Sequence, residues 1–300
     1  MNQENAMQTW GAFALVLLAA SGLAWAGSQG GALVYGMTLF ALAVAFAFVI
    51  NWLAFIPAWR QRTEKFFDLM GGITFISTIA LALLLTPQRD ARAWLLAAMV
   101  SVWALRLSLF LFWRIRKTGE DARFRELKAS FARFLLTWTL QGLWAAVTLA
   151  PALAAITAPR GNGLDGWAWC GLVVWGVGFL IEAVADWQKS RFKANPAHAD
   201  AFIQEGLWAW SRHPNYFGEI VLWIGVTLVT LPTLDGWRWL TLVSPLFVIL
   251  LLTRVSGIPL LEARADAKWG GQADYEAYKA RTPVLIPRPP KSKPRNNSHS

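Results

Sequence analysis

Long apolar runs are the feature that most restricts how this chain folds. A helix needs about 20 mostly apolar residues to cross the hydrocarbon core of a bilayer. Runs of about that length lie near residues 10–27, 32–57, 67–86, 93–113, 134–157, 166–187, 218–234 and 239–257. Barrel strands instead alternate over about ten residues. The sequence therefore predicts an all-α, polytopic integral membrane helix bundle with about seven or eight transmembrane helices.

Composition agrees with a membrane protein: 56% of the residues are hydrophobic and only 15% are charged, whereas about 25% are charged in soluble domains. No basic segment precedes the first apolar run, so we interpret it as a retained span and not a cleaved signal. Only SQGG separates the first two runs, which leaves open a single re-entrant hairpin. We expect one domain over residues 1–286 and a disordered basic tail over 287–300.

The distribution of basic residues predicts how the chain is oriented in the membrane. If loops alternate between the two sides, nearly all Lys and Arg fall on one side, while Arg106 falls within a span. Four basic loop residues fall on the opposite side: Arg89, Arg92, Arg160 and Arg238. The positive-inside rule then predicts an inner-membrane protein with both termini in the cytoplasm. Its net charge of +10 would face anionic lipid headgroups, so no nucleic-acid partner is required.

The usual signs of a metal site or a nucleotide-binding domain are lacking. Cys170 is the single cysteine and the three histidines are scattered, so we expect no metal site. The GNG at 161–163 is an isolated turn and does not follow a strand. Any dinucleotide would therefore bind without a Rossmann domain.

Ionisable residues within or beside the spans are candidate functional residues, because a charge in hydrocarbon is costly. Arg106 lies in the middle of a span, and Glu182 and Asp186 are four residues apart on one helix face. Asp68 and Glu262 lie at span ends, where a carboxylate can equally be solvated or paired with a neighbouring Arg.

Two polar motifs adjoin the spans. The basic segment RIRKTGED (114–121) contains Arg114, Arg116 and Lys117, which suit phosphate groups or simply hold a loop in the cytoplasm. The second motif, SRHPNYFGE (211–219), opens the seventh span. Its proline predicts a helix start, which places Asn, Tyr and Glu within about one turn. These side chains suit a planar carboxamide such as that of nicotinamide, with an interfacial helix cap as the alternative.

Three segments carry a resemblance to a known family: GLWAWSRHPNYFGE (206–219), EAVADWQKSRFK (182–193) and DYEAYKARTPVLIP (274–287). They resemble the steroid 5-alpha-reductase-like membrane reductases, in particular the bacterial, largely uncharacterised branch, and share the RHPNY pattern with sterol C14 reductases. The likeness is best over residues 166–287. It implies a helical bundle that holds NADPH and reduces a carbon–carbon double bond of a lipid-like, steroid- or isoprenoid-type substrate from the bilayer.

The resemblance also assigns expected roles to residues. Asn215 and Glu219 resemble the family's carboxamide-binding pair, and Asp186 resembles its acidic nucleotide contact. The full set of cofactor-binding candidates is Arg106, Arg114, Lys117, Asp186, Arg191, Lys193, Trp210, Arg212, His213, Asn215, Tyr216, Glu219 and Glu262.

The chain departs from the family at the position of a catalytic tyrosine, where it has Trp103, which has no phenolic proton. The proton donor is therefore unassigned, and Asp68, Glu64 and Trp103 are the candidates in that region.

Two other functions stay open at this point. An S-adenosylmethionine-dependent membrane methyltransferase of the isoprenylcysteine or phospholipid type has a similar RHP motif, in which His213 and Glu262 would also serve. A non-catalytic membrane protein, such as a transporter, is the third class. We expect no obligate protein partner.

Overall fold

The computed structural model of the chain describes residues 3–118, 124–159, 161 and 163–290. Within these ranges, eight helical segments are long and apolar enough to cross a membrane: Met7–Gly27, Leu39–Gln61, Phe67–Leu85, Ala91–Arg114, Phe131–Ile156, Gly166–Ala194, Pro214–Thr233 and Gly236–Trp269. The predicted all-α, polytopic fold is thus confirmed, and the chain is an integral membrane protein.

Eleven α-helices lie in the described parts of the chain: α1 Gln3–Gly27, α2 Leu39–Gln61, α3 Phe67–Leu85, α4 Ala91–Thr118, α5 Phe124–Leu127, α6 Phe131–Ile156, α7 Gly166–Ala194, α8 Pro214–Thr230, α9 Val243–Leu250, α10 Ile258–Trp269 and α11 Ala273–Arg281. Short 3₁₀ turns occur at Pro196–His198, Gly206–Ala209, Leu231–Thr233 and Gly236–Leu242, and a π-helical turn occurs at Leu251–Val255.

A small hairpin corrects the predicted start of the second span, which was placed at residue 32. Strands β1 (Leu33–Val34) and β2 (Met37–Thr38) pair antiparallel. The two residues between them, Tyr35 and Gly36, have φ angles of 51° and 78°, as a type I′ turn requires. Helix α2 therefore begins only at Leu39. Since α1 and α2 have 25 and 23 residues, two separate helices replace the re-entrant alternative.

The residues divide into two compact units. The first, unit 1, comprises Met1–Leu172 and Gly225–Phe247. Here α6 is the central helix, because 78% of the residues in its most apolar stretch are buried, compared with 22% in α1. Helix α3 packs on α2, α4 and α6, and aromatic residues fill the space between α2 and α6.

Arg92 corrects one detail of the predicted topology. We placed it in a loop, but it lies in the first turn of α4 and is only 1% exposed. Its Nη1 donates to the Val229 carbonyl at 2.6 Å, its Nε donates to the Gly163 carbonyl at 2.9 Å, and its Nη2 lies 2.9 Å from Asp165. A guanidinium with five donors can satisfy the carbonyls that a helix end leaves without partners. Arg92 is thus a structural residue of unit 1.

Arg238 is the second predicted loop residue that is buried. It lies in the 3₁₀ turn Gly236–Leu242 and is 1% exposed. Its Nη2 donates to the carbonyls of Thr233 at 2.7 Å and Ala154 at 3.2 Å. As with Arg92, a position in a short connection did not predict burial, because the side chain turns back to carbonyl groups at helix ends.

Unit 2 comprises Val173–Ile224 and Val248–Ser300. Helices α7 and α8 approach closely in it, because a Cβ added at Gly178 would lie 2.6 Å from the Gly218 carbonyl oxygen. Gly218 makes the reciprocal contact, since a Cβ added there would lie 2.6 Å from the Gly178 carbonyl oxygen. Helix α11 is a short polar helix of this unit, with Tyr275 and Tyr278 as its buried residues. Residues 291–300 of the predicted tail lie outside the described residues.

Candidate functional site

The RHPN motif lies at the start of α8 in unit 2. The helix begins at Pro214, as predicted from the fixed φ of proline. The Phe217 N–H donates to the His213 carbonyl at 3.1 Å, so His213 is the residue that caps the first turn. Asn215, Tyr216 and Glu219 follow within this first part of the helix, and Glu219 is 8% exposed.

Asn215 is held by Asp186 of α7. Its Nδ2 donates to Asp186 Oδ1 at 3.2 Å, and Asp186 is only 6% exposed. A carboxylate only accepts, so the Asn215 amide must present its nitrogen to Asp186 and keep its oxygen for another group. That oxygen, Oδ1, is buried and has no hydrogen-bond partner among the residues that the structure describes.

A carboxylate on α10 joins two residues of the motif. Glu262 Oε1 lies 2.7 Å from His213 Nε2, and Glu262 Oε2 lies 3.0 Å from Arg212 Nη2. The carboxylate has no proton to give while it is paired with Arg212, so the hydrogen between Glu262 and His213 belongs to Nε2. This assignment fixes the role of the other ring nitrogen, Nδ1.

His213 is 4% exposed, and burial lowers the pKa of its imidazole, an effect that the hydrogen bond to Glu262 partly opposes. The neutral ring with hydrogen on Nε2 leaves Nδ1 as a bare acceptor. This atom is buried and likewise has no partner within the described parts of the chain. The ring lies nearly parallel to that of Tyr216, with 5.7 Å between centroids and 11° between planes.

Two acceptors, His213 Nδ1 and Asn215 Oδ1, thus lie two residues apart at one helix start. Each buried acceptor without a partner is costly, so a ligand that brings N–H or O–H donors would be stabilised here. The sequence indicated the residues, but not that each of them also donates a hydrogen bond to a carboxylate.

Ser211 is a residue that the sequence analysis passed over. It is fully buried, accepts from the His213 N–H at 3.1 Å and donates to the Leu285 carbonyl at 2.8 Å. The Arg212 N–H donates to the Pro283 carbonyl at 2.9 Å. The segment 283–288 is therefore held beside the motif by hydrogen bonds.

Aromatic residues support the motif from the preceding turn. The Trp208 indole is 2% exposed and donates to the Ala185 carbonyl of α7 at 3.0 Å. Tyr278 of α11 donates to the Trp208 carbonyl at 2.8 Å, and burial raises the pKa of this tyrosine. Lys189 Nζ lies 4.2 Å from the centroid of the Trp208 ring. These contacts tie α7 and α11 to the turn before RHPN.

The other candidates of unit 2 are more accessible. Arg191 and Lys193 are exposed in the last turn of α7, and Trp210 is 42% exposed. The Trp210 carbonyl accepts from the Arg288 N–H at 2.9 Å. The last turn of α7 therefore places two cations at the surface of unit 2.

Unit 1 holds the remaining candidates, which we describe by themselves. Glu64 is 5% exposed and forms an ion pair with Lys128. Trp103 is 1% exposed and packs edge-on against Phe75, with 5.1 Å between ring centroids. Asp68 lies in the first turn of α3. Glu64 therefore has a structural partner, and Trp103 is a packed core residue.

The basic candidates of unit 1 all lie on α4. Arg106 is half-buried, and Arg114 is exposed with its guanidinium 6.0 Å from the Phe110 ring. The side chain of Lys117 lies outside the described residues. The cofactor contacts expected of these three residues stay predictions.

A family model described as "Protein of unknown function (DUF1295)" matches residues 54–282, which is most of the chain. The chain belongs to this family. The part that matches DUF1295 contains the RHPN motif, Asp186 and Glu262, and leaves out α1, the hairpin and most of α2. No curated protein and no solved structure matches the chain.

Proposed function

We propose that this DUF1295 protein is a membrane-embedded, NADPH-dependent reductase of a carbon–carbon double bond in a lipid-like, steroid- or isoprenoid-type substrate. The observation that carries the proposal is the pair of buried acceptors, His213 Nδ1 and Asn215 Oδ1. The sequence resemblance to the steroid 5-alpha-reductase-like family supports the same function.

The acceptor pair fits a carboxamide. The amide nitrogen of nicotinamide carries two N–H donors, which complement the two buried acceptors His213 Nδ1 and Asn215 Oδ1. Asp186 holds the Asn215 amide in the orientation that presents its oxygen. Glu262 does the same for His213, because it accepts the hydrogen bond from the Nε2–H and so leaves Nδ1 as the acceptor. The two carboxylates are therefore positioning residues of the proposed site.

When bound, NADPH supplies the hydride, while the protein supplies binding and orientation. Asn215 and His213 would fix the rotation of the nicotinamide ring about its carboxamide, and Tyr216, next to His213, would limit access of water. Arg191 and Lys193 would attract the phosphates, since ammonium and guanidinium groups bind phosphate oxygens strongly. Reduction of an activated double bond also requires a proton donor, which the contacts of unit 2 do not assign.

The proposed orientation follows from the basic residues. With Arg191 and Lys193 on the cytoplasmic side, the RHPN motif and both termini face the cytoplasm of a cell with an inner membrane. NADPH would then enter from the cytoplasm, and the apolar substrate would enter from the bilayer.

Thermal stabilisation of the detergent-purified protein tests the proposal, because a ligand that binds the folded state raises its stability by mass action. We expect NADPH to raise the melting temperature and S-adenosylhomocysteine to leave it unchanged. The reverse result would favour the methyltransferase, whose RHP motif is similar. Stabilisation by neither ligand would favour a non-catalytic membrane protein.

A further inference from the structure

A second site lies in unit 1, in the connections that follow α6 and α8. It is a surface cavity of about 410 Å³ lined by Ala158, Pro159, Pro232, Thr233, Leu234, Asp235 and Arg238. We propose that this cavity binds the headgroup of a membrane phospholipid that carries both a phosphate and a primary ammonium group, such as phosphatidylethanolamine.

The first support is the guanidinium of Arg238. Its side chain is 2% exposed, and its Nε has no hydrogen-bond partner in the part of the chain that the structure describes. Only Nη2 is used at short range, by the carbonyls of Thr233 and Ala154. A buried cation with an unused donor is costly. Because Arg238 lines the cavity, a phosphate bound there would lie beside this guanidinium, whose fork of donors suits phosphate oxygens.

The second support is Asp235, which gives the cavity the opposite charge at its rim. Its carboxylate is 79% exposed and lies 3.5 Å from Arg238 Nη1, which is long for an ion pair. The cavity therefore has no net charge, and a simple anion that approached Arg238 would be repelled by Asp235. A zwitterionic headgroup satisfies both, since its phosphate pairs with Arg238 and its ammonium pairs with Asp235.

The third support is the depth of the cavity in the membrane. The candidate spans Phe131–Ile156 and Pro214–Thr233 end beside it, and the next begins at Gly236. Trp237 and Trp239, on the same turn as Arg238, are 57% and 48% exposed. Exposed tryptophans at span ends are typical of the level of the lipid headgroups. The ligand is therefore a lipid of the bilayer and not a soluble phosphate.

Native mass spectrometry of the delipidated full chain in detergent tests this site. The protein is offered phosphatidylethanolamine, phosphatidylcholine and phosphatidylglycerol with identical acyl chains at equal concentration. We expect adducts of phosphatidylethanolamine to dominate, because choline has no N–H to donate and phosphatidylglycerol has no cation for Asp235. Asp235→Asn should lower this preference about fivefold, the effect of losing one partly exposed ion pair. Asp235→Glu should keep the preference.

The control is Glu205→Gln, which removes an exposed carboxylate outside the cavity and should leave the preference unchanged. If the unmodified protein retained the three lipids equally, this result alone would overturn the proposal. An unchanged preference in Asp235→Asn would also overturn it. Displacement of the lipid by an equal concentration of soluble glycerophosphoethanolamine would show that the occupant is not a lipid.

Discussion

Asn215 Nδ2 donates to Asp186 Oδ1 across 3.2 Å, from the first turn of α8 to the buried face of α7. This bond uses the donor side of the amide and leaves the acceptor side for a ligand. A hydrogen bond between two partly buried side chains on neighbouring helices depends on how closely those helices pack. The contact at Gly178 and Gly218 is therefore the structural basis of the candidate site.

The close packing of α7 on α8 predicts that one added methyl group at Gly178 lowers the stability of the protein. In Gly178→Ala, the new Cβ would lie 2.6 Å from the Gly218 carbonyl oxygen, so the helices must separate. We expect overpacking to destabilise the protein by about 1–3 kcal/mol, seen as a lower melting temperature in detergent.

Gly176→Ala is the matched control for this change. It lies on the same helix, and an added Cβ there meets nothing within 4 Å. It should raise stability by about 0.5–1 kcal/mol, since alanine replaces glycine in a helix interior. Equal effects of the two substitutions would contradict close packing of α7 on α8.

Ser211 should matter for stability as much as for the site. Ser211→Ala removes the donor to the Leu285 carbonyl and the acceptor for the His213 N–H. Leaving buried polar groups without partners costs about 1–3 kcal/mol. We expect a lower melting temperature in Ser211→Ala and no change in Ser190→Ala, whose serine is exposed in the same unit. A neutral Ser211→Ala would show that segment 283–288 does not depend on this hydroxyl.

His213 gives stability a predictable dependence on pH. Burial places its pKa in the folded protein below the ordinary value of 6.5, so the unfolded chain binds the proton more readily. The free energy of unfolding should therefore be highest above pH 6.5 and should fall as the pH drops from there through the lowered pKa. Chemical denaturation at a series of pH values measures this slope.

His213→Gln should remove that part of the slope, and His198→Gln should keep it. NADPH affinity should decline in the same pH range, because protonated Nδ1 donates and no longer accepts. A stability profile of His213→Gln that matches the unmodified protein at every pH would contradict the proposed protonation state.

Much of the fold followed from the length rule for transmembrane helices, because eight uniformly apolar runs leave few alternatives to a helix bundle. The start of α8 also followed locally, from Pro214. The start of α2 did not, since Leu33 and Val34 are as apolar as a span and only the turn at Tyr35 and Gly36 separates them from it.

The candidate site was predicted as a set of residues but not as an arrangement. Which atom of Asn215 is available depends on Asp186, 29 residues away in sequence, and the role of Glu262 depends on Arg212 and His213. Arg92 and Arg238 show the same limit, because counting charges in loops does not reveal that both guanidinium groups are buried.

The most direct test of the proposed site compares two forms of the cofactor. In the 3-acetylpyridine analogue of NADPH, the carboxamide is replaced by an acetyl group that has no N–H donor. We predict that the purified protein binds NADPH about tenfold more tightly than the reduced analogue, as expected for the loss of hydrogen bonds to buried acceptors.

Asn215→Ala should reduce this difference to about threefold or less, because only His213 Nδ1 would remain as an acceptor. Gln272→Ala, which removes an exposed amide elsewhere in unit 2, should keep it. The measurement is a titration of each variant with both ligands at pH 7.5, in which isothermal calorimetry gives the dissociation constants. A preference for NADPH that falls to about threefold or less in Asn215→Ala would support the account, whereas equal affinity of the unmodified protein for the two ligands would contradict it.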